Sequence, residues 1–284
     1  MTPRLTAFPH VAILLCAATF ATHLAHSGEP DAETLRAGRT LIETSVYSPE
    51  EDQELLAAFA DLRVSDVSDG MDVAGLKNVG LVDPAIAPLW RDTKEFKHRV
   101  VGIAVTARYV PTQQPPAPEG AAQQFNQWMV SWYRNRSSEA FQKVLRPGSV
   151  LMIEDAPGAD VGSVGSNNIM AWQLAGCVGV VTSGGARDTD EIIAQEVPLY
   201  YRQPARGIRA GRNDLESVNR PVVIGGVLVN PGDVIVADGD GVIVVPRAKA
   251  KMVADYARYT LNWDKNARKK LYERSGRSID ASVK

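Results

Sequence analysis

The stretch from Gly162 to Glu191, GSVGSNNIMAWQLAGCVGVVTSGGARDTDE, constrains the fold more than any other part of the chain. It reads as loop, helix, strand and loop. Gly162, Gly165, Ser166, Asn167 and Asn168 make a small turn with helix-capping chemistry. Ile169 to Ala175 is apolar at helical spacing, and Gly176 suits the C-terminal stop. Val178 to Thr182 is a β-branched run of the kind buried in a parallel sheet. Glycines then lead into Arg187 and Asp188. Two charges just past a strand end stand where open α/β sheets keep their ligand sites.

The flanking segments extend an α/β fold. Val100 to Val110 and Ser149 to Glu154 read as strands, as do Val222 to Val229, Val234 to Ala237 and Val242 to Val245. Asn230-Pro231-Gly232-Asp233 and Asp238-Gly239-Asp240-Gly241 are strong turn signals between the last three. Ala32 to Phe59 predicts two helices split at Ser48-Pro49, a natural N-cap followed by a natural first helical residue. Asp66, Asp69 and Asp72 repeat at a three-residue step, read as capping charge near a helix dipole; a metal cluster is the rival. Pro111 to Gly120 is a Pro-rich loop. The aromatic stripe that follows, Phe125, Trp128, Met129, Trp132, Tyr133 and Phe141, reads as packing. Arg202 to Asn219 predicts a basic surface loop, either solvated or in a subunit contact. Lys249 to Lys284 predicts a terminal helix with Met252, Val253, Tyr256, Ala257 and Leu261 on one face and a frayed end.

Residues 1–27 differ in character. Val11 to Phe20 is a short apolar core, Arg4 is the only charge before Glu29, and Ala25-His26-Ser27 is a cleavage pattern. The reading is a secretory signal peptide, with a buried N-terminal helix as the alternative. The implied destination is secreted or periplasmic, with no membrane association after processing. Beyond the leader lie a helical segment (28–62), an α/β domain (63–247) and a C-terminal helix (248–284).

Processing would leave one histidine, His98, and one cysteine, Cys177. That leaves no pair for a disulfide and no set for a His/Cys zinc site. A formal charge of −2 over 284 residues carries no basic bias toward nucleic acid. The available chemistry is carboxylate, Arg, Lys, backbone amide and hard metal. With Arg187 and Asp188 facing the turn at 165–168, the guanidinium offers a planar fork for a carboxylate. Asp188 offers hard oxygen to Mg²⁺ or Mn²⁺, and the helix N-terminus favours an anion. Together they would hold a 2-oxo acid and suit C–C cleavage that releases pyruvate. A plain surface ion pair is the competing reading of the same dipeptide.

Gly165, the 22-residue step to Arg187, the intervening Ala171, Gly176 and Gly179-Val180-Val181, and Gly185-Ala186-Arg187-Asp188 resemble the RraA-like family. Gly225-Gly226-Val227, Val229, Pro231-Gly232-Asp233, Ala237-Asp238, Asp240-Gly241-Val242 and the early Val67-Ser68-Asp69 are similar to its pattern too. That family contains the class II 4-hydroxy-4-methyl-2-oxoglutarate/4-carboxy-4-hydroxy-2-oxoadipate aldolases and regulators that inhibit an RNA-degrading endonuclease by contact. The resemblance implies a compact α/β/α domain of the swivelling β/β/α type, here with extra N- and C-terminal helices, assembled as a homotrimer or homohexamer. It implies a divalent-metal lyase acting on a 2-oxo acid. Gly165, Ser166, Asn167, Asn168 and Arg187 would bind substrate, Arg187 and Ser166 would serve catalysis, and Asp188 would hold the metal. A non-catalytic oligomeric binding or regulatory protein, or other carbonyl chemistry on the same metal, are the alternatives. Members with aldolase activity usually carry an acidic residue directly after the loop glycine; this chain has Ser166 there. Asp160 or a carboxylate from a second copy is the candidate replacement.

Overall fold

A computed structural model describes residues 31–156, 158 and 160–284; the leader expected at 1–27 lies outside the described residues. By its contacts the chain divides into two units, Met1–Leu41 and Ile42–Lys284. The helices are α1 (Ala32–Ala37), which belongs to the first unit, then α2 (Pro49–Phe59), α3 (Val64–Val73), α4 (Ala122–Asn135), α5 (Ser166–Leu174), α6 (Thr189–Ala194) and α7 (Ala250–Ser275). The strands are β1 (Ala87–Pro88), β2 (Val100–Pro111), β3 (Ser149–Glu154), β4 (Gly162–Val164), β5 (Cys177–Thr182), β6 (Gly185–Ala186) and β7 (Leu199–Tyr201). They continue with β8 (Gln203–Pro204), β9 (Asn213–Val218), β10 (Val222–Ile224), β11 (Val227–Val229), β12 (Val234–Asp238) and β13 (Gly241–Val245).

The main sheet runs β1-β7-β5-β3-β2-β12-β13, with β9 paired to the far half of β2. β2, β3, β5 and β7 are parallel neighbours, and β12, β13, β9 and β1 add antiparallel edges. A second sheet, β4-β6-β8, is parallel throughout. Its order repeats that of β3-β5-β7, because each main strand runs on in sequence into its small partner. The small sheet therefore extends the carboxyl ends of three parallel strands.

Side chains alternate along each strand, so the β-branched runs feed cores on both faces. Along β3, Val150 and Met152 join one core while Leu151 and Ile153 join another. The first core is closed over by the β10–β11 hairpin and Tyr200. On the opposite face, α5 and α6 cover β3 and β5 through Ile169, Trp172 and Ile192. Helices α2, α3 and α7 cover β2, β12 and β13. Helix α2 starts with a capping box between Ser48 and Glu51, as the Ser-Pro signal requires. Asp66 accepts from the Arg63 amide at the start of α3, so the aspartate ladder opens as capping charge, and Asp69 and Asp72 are exposed.

Three expectations shift. The buried stripe of α7 is Ala250, Val253, Ala254, Ala257 and Leu261, while Met252 and Tyr256 lie outward because packing against α3 selects the neighbouring stripe. Its tail is not frayed: Arg268 donates to the Ser282 carbonyl, and the Tyr272 hydroxyl donates to Asp280. Of the aromatic stripe, Trp132 and Phe141 are buried, whereas Phe125 remains on the surface of α4.

Two buried carboxylates tie the layers together. Asp52 of α2 accepts from Arg146 and from Arg247 Nη1 (2.7 Å), linking the helix to the β3 approach and to the end of β13. Replacing Asp52 by Ala strands a largely buried Arg247, while Arg146 is 35% exposed and recovers water. The expected loss in urea unfolding is about 2–4 kcal/mol, below the full cost of an orphaned buried charge. A loss within about 0.5 kcal/mol would refute the clamp.

Asp155, just past β3, accepts from the Ser163 hydroxyl, the Ala156 amide (2.9 Å) and Asn213 Nδ2 (3.2 Å). Burial outweighs these donors and holds its carboxyl above the ordinary carboxylate range. A folded value above the unfolded one stabilises below the unfolded pKa, and that contribution disappears as pH rises through the folded pKa. Unfolding of Asp155→Asn and wild type, compared between about pH 4 and about pH 8, should therefore turn steadily toward the variant with rising pH. A pH-independent difference would show that the carboxyl does not titrate abnormally.

Candidate active site

The site forms where β4 and β6 end side by side. Gly162 pairs with Gly185 and Val164 with Ala186, and the Arg187 amide donates to the Val164 carbonyl (2.9 Å). This brings Gly165 opposite Arg187 and Asp188. Gly162 makes room for the arginine: a methyl there would lie 2.8 Å from Arg187 Cβ and 2.9 Å from Cγ. Asp188 adopts a left-handed backbone (φ 54°), uncommon for a residue with a side chain and frequent at functional turns. That conformation turns its carboxylate back toward the start of α5.

Helix α5 begins at Ser166, a turn earlier than the apolar spacing suggested, with Gly165 as its N-cap. The first intrahelical bond runs from the Ile169 amide to the Gly165 carbonyl (3.0 Å), so the amides of Ser166, Asn167 and Asn168 carry the helix's unpaired positive end. A glycine cap brings no side chain of its own. Asp188 supplies the missing acceptor, with Oδ2 3.3 Å from the Ser166 amide and 3.6 Å from Arg187 Nε. Gly165 is the floor of a cradle: a methyl on it would lie 3.0 Å from Asp188 Oδ2, 3.3 Å from Asn168 Oδ1 and 3.6 Å from Arg187 Nε. Gly165, Ser166, Asn168, Arg187 and Asp188 thus converge, and Arg187 and Asp188 keep 37% and 38% of their side-chain surface. Asn167 is exposed on the rim.

Behind the cradle lies a group the sequence reading placed wrongly. Arg202 to Asn219 is not simply a surface loop. Asn213–Val218 forms β9 on the main sheet, and Arg209 is 4% exposed. Arg209 pairs with Glu139 and donates to the Tyr109 hydroxyl (2.7 Å). Burial opposes its charge, but Tyr109 and Glu139 outweigh that and raise its pKa. Glu139 also accepts from Asn168 Nδ2 and Trp172 Nε1 (2.8 Å), which joins the buried pair to the first turns of α5. Glu139 had no local signature: it follows α4 and meets Asn168 across 29 residues.

Three other residues singled out in the sequence, Asp160, His98 and Cys177, stand in structural roles. Asp160 accepts from the Arg206 amide and guanidinium (both 2.8 Å), and the Arg206 side chain holds its carboxyl below the ordinary range. His98 is buried; its Nδ1 accepts from the Asp92 amide (3.1 Å), and burial lowers its pKa. Cys177 is a buried free thiol pushed up to about 11 by burial.

Residues 64–244 match the family model described as RraA-like, Aldolase/RraA. A 4-hydroxy-4-methyl-2-oxoglutarate aldolase of Thermus thermophilus is 32% identical over 104 residues, 35% of this chain and 60% of that protein. A crystal structure of an uncharacterized protein from Pseudomonas syringae pv. tomato superposes with a TM-score of 0.61 at 28% identity, covering 82% of this chain and 97% of that one. Streptomyces coelicolor RraAS2, titled an unusual member of the RNase ES inhibitor RraA family, shares the fold with a TM-score of 0.62 at 23% identity over 77% of this chain and 98% of that one. The chain spans about half the length of the curated relatives it matches, 53% and 60% for two of them. The family match covers well over half of the 284 residues and includes every part of the cradle, and on that basis the chain belongs to the RraA-like family.

Proposed function

We propose that this protein is a divalent-metal-dependent lyase that acts on a 2-oxo acid and releases pyruvate. The observation that carries the reading is the cradle over Gly165, where a carboxylate, a guanidinium and a helix N-terminus stand together and both charged side chains keep access to solvent. The aldolase names of relatives support it. A hard cation suits the donor set: Asp188 is accessible, and Mg²⁺ commonly takes one or two protein carboxylates and keeps waters. Mg²⁺ or Mn²⁺ bound to Asp188 supplies a Lewis acid for the keto oxygen.

The protein's own groups do the rest. Arg187 binds the substrate carboxylate through its planar fork. The Asn167 and Asn168 amides at the start of α5, aided by the helix dipole, favour the negative charge that develops as the bond to the departing fragment breaks. Ser166 has a hydroxyl that orients water but is a poor base near neutral pH. Asp160 is engaged by Arg206 and does not replace the acidic residue of the aldolases. The apolar leader and the family resemblance support export and assembly as a homotrimer or homohexamer.

A coupled pyruvate-release assay tests the proposal, with 4-hydroxy-4-methyl-2-oxoglutarate and oxaloacetate as substrates and Mg²⁺ or EDTA present. Turnover should vanish with EDTA and fall by about 10²–10³-fold in Arg187→Ala and Asp188→Ala. Gly162→Ala, which intrudes on Arg187, should lower kcat/KM by about tenfold with little change in Tm. Turnover that survives EDTA, or Arg187→Ala at wild-type rate, would sink the reading.

A further inference from the structure

Glu139 collects four donors. Asn168 Nδ2 and Arg209 reach its Oε1, while Trp172 Nε1 (2.8 Å) and Gln142 Nε2 (2.6 Å) reach its Oε2. A carboxylate held this way accepts and does not donate. The nitrogen of the Asn168 amide must therefore face Glu139, and its oxygen must face the other way, a conclusion that follows from chemistry and not from atom labels. The other way is the cradle: Asn168 Oδ1 stands beside Asp188 Oδ2 over Gly165. The clamp has a rigid backing. Arg209 is buried, its guanidinium donates to the Tyr109 hydroxyl, and that hydroxyl donates to the Ser138 carbonyl (3.0 Å) next to Glu139 itself.

An ordinary solvated asparagine would turn freely and could offer either end. Here one end is committed, so the cradle always presents an acceptor at this point. Of the three side chains over Gly165, Arg187 then has the hydrogens left to give, and on the lyase reading the carboxylate of a 2-oxo acid would take them.

We propose that Glu139 is a positioning residue that locks the Asn168 amide, and that Asn168 Oδ1 accepts the hydrogen bond of a hydroxyl on the substrate's departing fragment. This rests on the lyase reading above. The amide oxygen orients the hydroxyl; as the C–C bond breaks the hydroxyl proton passes to water, and the pyruvate enolate that forms takes a proton from water, so Asn168 itself carries none. Its consequence is selectivity: a hydroxylated 2-oxo acid gains this contact, and a 2-oxo acid without the hydroxyl does not.

The test compares 4-hydroxy-4-methyl-2-oxoglutarate with oxaloacetate, which lacks the hydroxyl, in wild type, Asn168→Leu and Glu139→Gln. Binding of Mn²⁺ with oxalate is titrated in parallel, with Asp188→Ala as control. Asn168→Leu should lower kcat/KM on the hydroxylated substrate by about 10- to 100-fold more than it lowers kcat/KM on oxaloacetate. Glu139→Gln lets the amide turn and should move the same ratio in the same direction. Because Glu139→Gln also disturbs buried Arg209, the Asn168→Leu variant decides the matter if the glutamine variant folds poorly. Equal losses on both substrates, or no loss on either, overturn the proposal while Asp188-dependent Mn²⁺–oxalate binding keeps the lyase reading standing. Wild type that binds no Mn²⁺–oxalate, or binds it equally without Asp188, brings down the lyase reading and this inference with it.

Discussion

Strand β2 has to satisfy three neighbours at once. Its first half pairs with β12, its middle and far residues run parallel to β3, and its far half also accepts β9 on the side that β12 has vacated. A bulge between Arg108 and Tyr109 lets β9 join without breaking the ladder. Most of β2 is buried, so backbone hydrogen bonds and two apolar faces act together. Helices α2, α3 and α7 cover the β12 side, and α5 covers the β3 side. Tyr109 sits on the stretch shared with β9, so the group that backs Glu139 is fixed by the central strand itself.

Much of this was legible because it is local. The β-branched runs at 100–110, 149–154, 178–182, 234–237 and 242–245 became strands, since residues that fit a pleated surface buried on both sides have few other places to go. The glycine pattern before Arg187 was legible for a steric reason: Gly162 and Gly165 stand where a methyl group would touch the side chains of Arg187 and Asp188. The Ser48 N-cap and the Asp66 capping charge were readable from the sequence, while the reciprocal bond of Glu51 emerged from the structure.

What escaped was made by distance in sequence. Glu139 and Arg209 are 70 residues apart, and neither has neighbours that announce a buried ion pair. The segment around Arg209 is rich in arginine and looked solvated. Its alternation is weak because β9 lies at a sheet edge with half-buried residues. The outward position of Met252 and Tyr256 was missed for a related reason: helical spacing allows several stripes, and only contact with α3 selects one.

The short sheet of β4, β6 and β8 has a mechanical meaning. Two residues, Ser183 and Gly184, join β5 to β6, and one, Arg202, joins β7 to β8. The three short strands are bonded to one another, with the Ala205 amide on the Ala186 carbonyl (2.7 Å) and the Arg187 amide on the Val164 carbonyl. A load applied at Arg187 is thus shared by strands that arrive from three different parts of the chain. The cradle thus stands on a hydrogen-bonded plate with two short stems, so a shift of β5 or β7 is passed directly to the strands that carry Arg187.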